Sequence, residues 1–274
     1  MCDSVRMVAK RNEPDFVEAF ARGLEVIRSF SLSHLAMSVS DVAAATRLAR
    51  PTARRLLITL ESLGYVRSAN GLYTLTPKVL ELGTAYISAQ GMWDIAQPHM
   101  ASLVEKTHES SSMSQLDGSD IVYVARVAVP KIIGLSVHIG TRFPAYATSM
   151  GRVLLSDLTS SQLDAVLKIP SNSGVVPRTR LVRKELDASL AEIRKRGWAL
   201  SDEQLTFGIR SIAAPVRDVD GRTIAALNVT VNAAETSIAE LRKEHLPKLL
   251  DAAGEMSRDF ARMRLLPVAD PLLP

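Results

Sequence analysis

The stretch from Ser38 to Leu75 constrains this chain most, because its local signals agree on one supersecondary arrangement. From Arg50 to Leu63, the residues Ala53, Leu56, Leu57, Leu60 and Leu63 recur at the spacing of a core-facing helical stripe. Pro51, Arg54, Arg55 and Thr59 fall on the other side. Pro51 stands in the first turn, where its missing N–H would have had no helical partner, and Gly64 follows the last apolar residue as a helix-ending glycine. Ahead of this segment, Ser38 or Ser40 caps a second short helix ending at Thr46. Asp41 lies in its first turn, where the helix dipole favours an acid, and the small residues Val42 to Ala45 let another helix cross closely. Arg47-Leu48-Ala49 is the turn between them. Behind it, Tyr65-Val66-Arg67 and Leu72-Tyr73-Thr74-Leu75 are β-rich runs around Ser68-Ala69-Asn70-Gly71, and Asn-Gly in that setting signals a hairpin.

Short helix, tight turn, arginine-bearing helix and hairpin make a winged helix-turn-helix, whose second helix enters the major groove of DNA. Arg50, Pro51, Thr52, Arg54 and Arg55 are then candidate base-edge or phosphate contacts. Ser40 joins them from the preceding helix, and Arg67, Asn70 and Tyr73 are candidates from the wing. A formal net charge of +4 is too small to identify a nucleic-acid binder. Its distribution is more informative: residues 1–76 carry ten Lys and Arg against seven Asp and Glu, and Arg47, Arg50, Arg54 and Arg55 concentrate the excess.

The 274 residues suffice for about two domains, and 47% apolar with 23% charged residues is an ordinary globular composition. No apolar run approaches the ~20 residues needed to span a membrane. Met1 to Pro14 is polar, without the apolar core of a signal peptide. The single cysteine, Cys2, forms no internal disulfide, which fits a reducing cytoplasm. A cytoplasmic protein without membrane partners is the expectation.

In chain order, Asp15 to Phe30 reads as a first helix with Phe16, Phe20, Leu24, Ile27 and Phe30 as core. Thr76-Pro77 opens a helix over 78–90 that links two domains, so the expected division is 15–76, a linker at 77–90, and a second domain over 91–264. There, Trp93 to His108 is a helix. Strands follow at Ser111–Leu116, Ile121–Val127 and Ile132–His138, then a loop at Gly140–Pro144. Helices follow at Ser149–Leu155 and Ser160–Lys168, the latter capped by Ser160, and then at Arg183–Gly197. Strands at Trp198–Ser201, Gly208–Val216 and Thr223–Val231 precede a last helix, Ala234–Arg264, broken near Pro247. A mixed sheet of five or six strands with helices alongside makes this domain α+β.

Catalytic and metal-binding patterns are absent. His34, His99, His108, His138 and His245 have no metal-ligand spacing. There is no Cys-x-x-Cys, no Gly-x-Ser-x-Gly and no phosphate- or dinucleotide-binding glycine loop. No cofactor, metal or catalytic residue is therefore assigned. A small-molecule enzyme with an appended DNA-binding domain is the alternative reading, and the missing motifs count against it.

Two further stretches bear on binding. Gly140 to Leu155 delivers a loop to a helix start capped by Thr148 and Ser149, whose free N–H groups attract anions such as carboxylates. Arg142 could pair with a carboxylate bidentately, and Phe143 and Tyr146 could flank a planar ring. From Ser201 to Thr230, the polar residues Ser211, Asn228 and Thr230 interrupt apolar strands, with Asn228 and Thr230 on one face by period two. Buried polar groups need partners, and a ligand is one kind.

The run Ala49-Arg50-Pro51-Thr52-Ala53-Arg54-Arg55-Leu56-Leu57 with Leu60-Glu61-Ser62-Leu63-Gly64-Tyr65-Val66 resembles the winged helix-turn-helix of the IclR family of bacterial transcriptional regulators. The two downstream stretches resemble that family's GAF-like effector-binding domain, and the likeness extends from about Phe16 to Arg264. It implies small carboxylate effectors bound beside the short helix and against the sheet, with Ser149, Met150, Ser201, Asp202, Ile209, Ser211 and Asn228 as pocket residues. Arg54-Arg55 and Gly140 to Leu155 look most like the subgroup governing aromatic-acid catabolism, whose effectors are protocatechuate, 4-hydroxybenzoate or β-ketoadipate. A homodimer or dimer of dimers on a double-stranded operator is the implied assembly.

Overall fold

The computed structural model describes residues 15–31, 33–83, 92–130 and 137–265. The chain divides into two compact units, one before Gly91 and one from Gly91 on.

The first unit is built on three helices, α1 (Glu18–Ser29), α2 (Val39–Thr46) and α3 (Arg50–Ser62), and a hairpin of β1 (Val66–Ala69) and β2 (Leu72–Leu75). Ser38 caps α2 in a reciprocal box: its hydroxyl accepts from the Asp41 N–H, and its own N–H donates to the Asp41 carboxylate at 2.9 Å. These bonds hold the Asp41 carboxyl below the usual carboxylate range. Ser40 lies inside the first turn and is not the cap. Arg47 ends α2 in the left-handed conformation, φ 56°. The core is Val26, Met37, Val42, Ala43, Ala53, Leu57, Leu60 and Val66. Two expectations are corrected. Leu63 is exposed, because it is the C-cap of α3 and the chain turns away there. Phe16, Phe20 and Leu24 recur at helical spacing but are exposed, since α1 buries only Val26 fully against the unit. A 3₁₀ turn, Pro77–Val79, leads into helical residues 80–83. The rest of the expected linker helix lies outside the described residues.

The second unit has a six-stranded sheet in the order β5-β4-β3-β8-β7-β6, formed by β3 (Ser110–Asp117), β4 (Asp120–Val127), β5 (Arg142–Pro144), β6 (Ala199–Asp202), β7 (Ile209–Arg217) and β8 (Thr223–Asn232). Every pairing of these strands is antiparallel, which corrects the expected mixed sheet. The reason is connectivity: β3–β4 and β7–β8 are hairpins, and β8 closes beside β3 rather than crossing over in parallel. Arg142–Pro144, read as loop, pairs with β4 as a short edge strand. The expected strand at Ile132–His138 falls mainly on residues outside those described.

Helices cover both faces. On one lie α4 (Met92–Thr107) and α8 (Leu246–Leu265), packed on Met113, Ala125, Ile212, Ala214, Leu227, Val229 and Val231. On the other lie α5 (Ser149–Ser156), α6 (Ser160–Leu167) and α7 (Arg183–Arg196), packed on Tyr123, Ala199, Ala213 and Ala226. Thr159, not Ser160, caps α6, because its hydroxyl and the Gln162 side chain form a capping box. The break near Pro247 is a π-helical turn, Leu241–His245, which absorbs the missing proline N–H before α8 begins.

Candidate functional site

In the first unit, α3 presents Arg50, Pro51, Arg54 and Arg55 to solvent, with Thr52 half-buried. The helix is fixed from below by Ala53, Leu57 and Leu60. The wing is tied to it: the Glu61 carboxylate accepts from the Ser68 N–H at 2.9 Å and from the Ser68 hydroxyl at 2.6 Å. Asn70 and Gly71 both take positive φ, 52° and 77°, as a two-residue hairpin turn of this hand requires. Arg67 is exposed and its Nε donates to Thr74 across the hairpin at 3.2 Å. Tyr73 differs: it packs on the core, and its backbone pairs with Met37 at 2.8 and 3.0 Å. The unit thus offers an arginine-faced helix and a braced hairpin beside it.

In the second unit, a cavity of about 40 Å³ lies between the first turn of α5 and the sheet. It is lined by Tyr123, Arg126, Val137, Thr148, Ser149, Met150, Ser201, Leu205, Ile209, Ser211, Asn228 and Thr230. Ser149, Met150, Ser201, Ile209, Ser211 and Asn228 are therefore brought together as the sequence suggested. The floor is polar by strand parity. On this sheet face, Arg126, Ser112 and Asn228 stand in one cross-strand row, and Thr230, Ser211 and Ser201 in the next. Ser112, Asn228, Ser211 and Ser201 are buried, and Arg126 and Thr230 partly so, so their hydrogen bonds decide what the floor tolerates. Asn228 accepts from the Ser112 N–H at 2.8 Å and donates to Thr230 at 3.0 Å. The Ser149 and Ser211 hydroxyls meet at 2.8 Å. Ser114 donates to the Met150 sulfur at 3.3 Å. Thr148 caps α5 by accepting from the Gly151 N–H.

Three proposed ligands of the site stand elsewhere. Arg142 donates to the Asp117 carboxylate at 2.5 Å and faces the buried Asp120 at 3.6 Å, so it braces the β3–β4 turn. Asp202 pairs with Arg210 across β6 and β7 at 2.7 Å. Tyr146 packs beside α5, and its carbonyl accepts from Arg152. Phe143 backs the wall rather than lining it, meeting Tyr123 edge-on at 5.6 Å.

Two residues that sequence reasoning missed dominate the β4 side. Tyr123 is buried, and burial raises its phenol above the ordinary range, so it stays neutral. Arg126 is partly buried, which lowers its guanidinium pKa, and its Nη1 donates to Ser112 at 2.9 Å. Both point at the cavity because a bulge opposite Met113–Ser114 inserts Val124 between them. A polar residue in an apolar strand was the available signal for Arg126.

No group of metal-binding side chains occurs among the described residues. None of the described helices is long and apolar enough to cross a membrane.

Comparison with known proteins bears on both units. A model described as the IclR helix-turn-helix domain matches residues 19–69, and one described as bacterial transcriptional regulator IclR C-terminal matches residues 84–258. The chain is 37% identical over 252 residues to the Pca regulon regulatory protein of Pseudomonas putida, covering 92% of this chain and 87% of that one. It is 32% identical over 248 residues to the p-hydroxybenzoate hydroxylase transcriptional activator of Acinetobacter baylyi, covering 88% and 91%. An IclR homologue from Microbacterium hydrocarbonoxydans, solved in complex with 4-hydroxybenzoate, has a TM-score of 0.77 over 89% of this chain and 99% of that one. At 22% identity it shows a common fold.

Proposed function

The chain belongs to the IclR family of bacterial transcriptional regulators, and from that premise we propose that it governs a catabolic operon in response to a small carboxylate, foremost an aromatic acid. Protocatechuate, 4-hydroxybenzoate and β-ketoadipate are the first compounds to try. The supporting observation is the buried cavity with a polar floor beneath the start of α5, inside the region matched by the family's C-terminal model. These polar groups bond one another, and the donor and acceptor capacity they have left faces the cavity, where a ligand or water can use it. The name of the Acinetobacter baylyi relative, p-hydroxybenzoate hydroxylase transcriptional activator, points toward an aromatic acid.

At about 40 Å³ the cavity holds little more than a water, whereas a benzene ring occupies an engineered cavity of ~150 Å³. In this reading a wall moves to admit a ring. The wall best placed to do so is the loop from Glu203 to Gly208 that carries Leu205, with both end residues in the left-handed conformation. Binding that differs between the closed and opened forms is what can shift DNA affinity. On the DNA side, Arg50, Thr52, Arg54 and Arg55 contact bases and phosphates, with Arg67 and Asn70 at the wing. Two copies of the chain, as a dimer or a dimer of dimers, read a pseudo-palindromic operator.

Isothermal calorimetry with the three acids, alongside operator titrations with and without the tightest of them, tests this reading. Ser211→Leu fills the cavity and breaks the Ser149 pair. It should abolish the ligand-dependent change in operator affinity and leave ligand-free binding near wild type. Asn228→Leu should do the same at a cost to stability, because it also strands the buried Ser112 N–H. Wild-type acid affinity in both variants would place the site elsewhere.

A further inference from the structure

We infer that Arg126 receives the effector's carboxylate, held ready by Ser112 and Asn228; this rests on the cavity being the effector site. The sequence resemblance and the helix start both direct attention to α5, on the opposite wall. The geometry of the sheet points to β4.

Arg126 lines the cavity, and its one hydrogen bond among the described residues is the 2.9 Å donation to Ser112 Oγ. A guanidinium has five N–H donors, so four remain for another acceptor. No described carboxylate lies within ion-pair distance of it. That sets it apart from the arginines of the unit that meet acids, among them Arg142 with Asp117, Arg183 with Asp187, Arg210 with Asp202, Arg217 with Asp157 and Arg262 with Asp259. Those are braces. Arg126 is a partly buried cation facing a cavity, where a planar carboxylate satisfies the fork and offsets the cost of taking the charge out of water.

Its placement is built. Ser112 is buried, and its hydroxyl takes the guanidinium bond while its N–H donates to Asn228 Oδ1. Asn228 is fixed in turn by Thr230. Arg126, Ser112 and Asn228 therefore form one cross-strand row over β4, β3 and β8. The Ser149–Ser211 hydroxyl pair lies at the far wall, between α5 and β7, and β7 is three strand spacings from β4, roughly 14 Å between backbones. Hydroxyls donate and accept, so that wall suits the effector's uncharged oxygens, and the acid end belongs at Arg126.

The test is calorimetry on the full chain with the tightest binder among 4-hydroxybenzoate, protocatechuate and β-ketoadipate, and with its primary carboxamide. Wild type should prefer the acid. Arg126→Met should weaken the acid by about 10- to 100-fold, the range of a hydrogen bond to a charged group, and leave the amide within about threefold. Arg126→Lys keeps the charge without the fork and should fall between, so it carries the test if the methionine variant does not fold. Melting temperature and ligand-free operator affinity serve as folding checks. Equal loss of acid and amide would make Arg126 a mere shaper of the cavity, and unchanged acid affinity would remove it from the site; either overturns the inference while leaving the cavity reading intact. No binding of any acid by wild type would instead overturn the cavity reading, and this inference with it.

Discussion

Tyr123 and Arg126 stand three residues apart on β4 and line the same cavity. In a regular strand an odd separation puts two side chains on opposite faces. Here Met113 pairs with Ala125 and Ser114 with Tyr123, so Val124 is the extra residue of a bulge, and the alternation restarts on its far side. One wall of the site thus carries both a buried neutral phenol and a cation. The phenol makes a titration that can be followed.

Tyr123 should give the second unit an alkaline limit. Burial raises its pKa above the ordinary phenol value of about 10, so the folded state binds the proton more tightly than the unfolded chain. Its contribution is fully present below pH ~10 and is lost as pH rises beyond it, at about 1.4 kcal/mol per pH unit. Urea titrations of wild type and Tyr123→Phe between pH 9 and 11 check this. The wild-type curve should fall more steeply than that of the variant, and parallel curves would contradict the assignment.

Gly151→Ala reverses an ordinary rule. Within a helix the change normally stabilises by roughly 0.5–1 kcal/mol. In α5 the added Cβ would overlap the carbonyl oxygen and Cα of Ala145, backbone atoms that cannot swing aside. The expected outcome is a loss of about 2 kcal/mol or more, with the first turn of α5 pushed off the cavity. Chemical denaturation reads the sign, and calorimetry with the acids reads the displaced Ser149 and Met150.

Arg54→Ala or Arg55→Ala should weaken operator binding by ~1–3 kcal/mol where the residue reads a base, relaxing preference at one position per half-site. A phosphate contact would instead lower affinity on all sequences and make the salt slope shallower. Gel-shift titrations at several salt concentrations separate the two. Wild-type binding by the double variant would remove α3 from the recognition role.

A fragment from Gly91 to Arg264 should fold alone, since the sheet with its two helical layers has its own cores and the chain divides at Gly91. It should melt cooperatively, retain the acid and fail to bind the operator. A molten fragment by circular dichroism and hydrogen exchange would contradict the boundary.

What the sequence determined by itself was local. Pro51, Gly64, Asn70-Gly71 and the stripe Ala53, Leu57 and Leu60 specify helix start, helix end, turn and core face within a few residues of each other, so the winged unit is legible in the sequence. Asn228 and Ser211 were legible as polar intrusions into apolar strands, because period two needs only one strand. Tertiary structure decided the rest, since it sets which strands lie side by side. Arg142 and Asp202 looked available until the sheet placed Asp117 and Arg210 against them. Arg126 was not singled out in the sequence; one inserted residue turns it toward the cavity, over a serine and an asparagine contributed by two other strands. Register across strands is a long-range property, fixed by packing on both faces at once, and no window of neighbouring residues contains it.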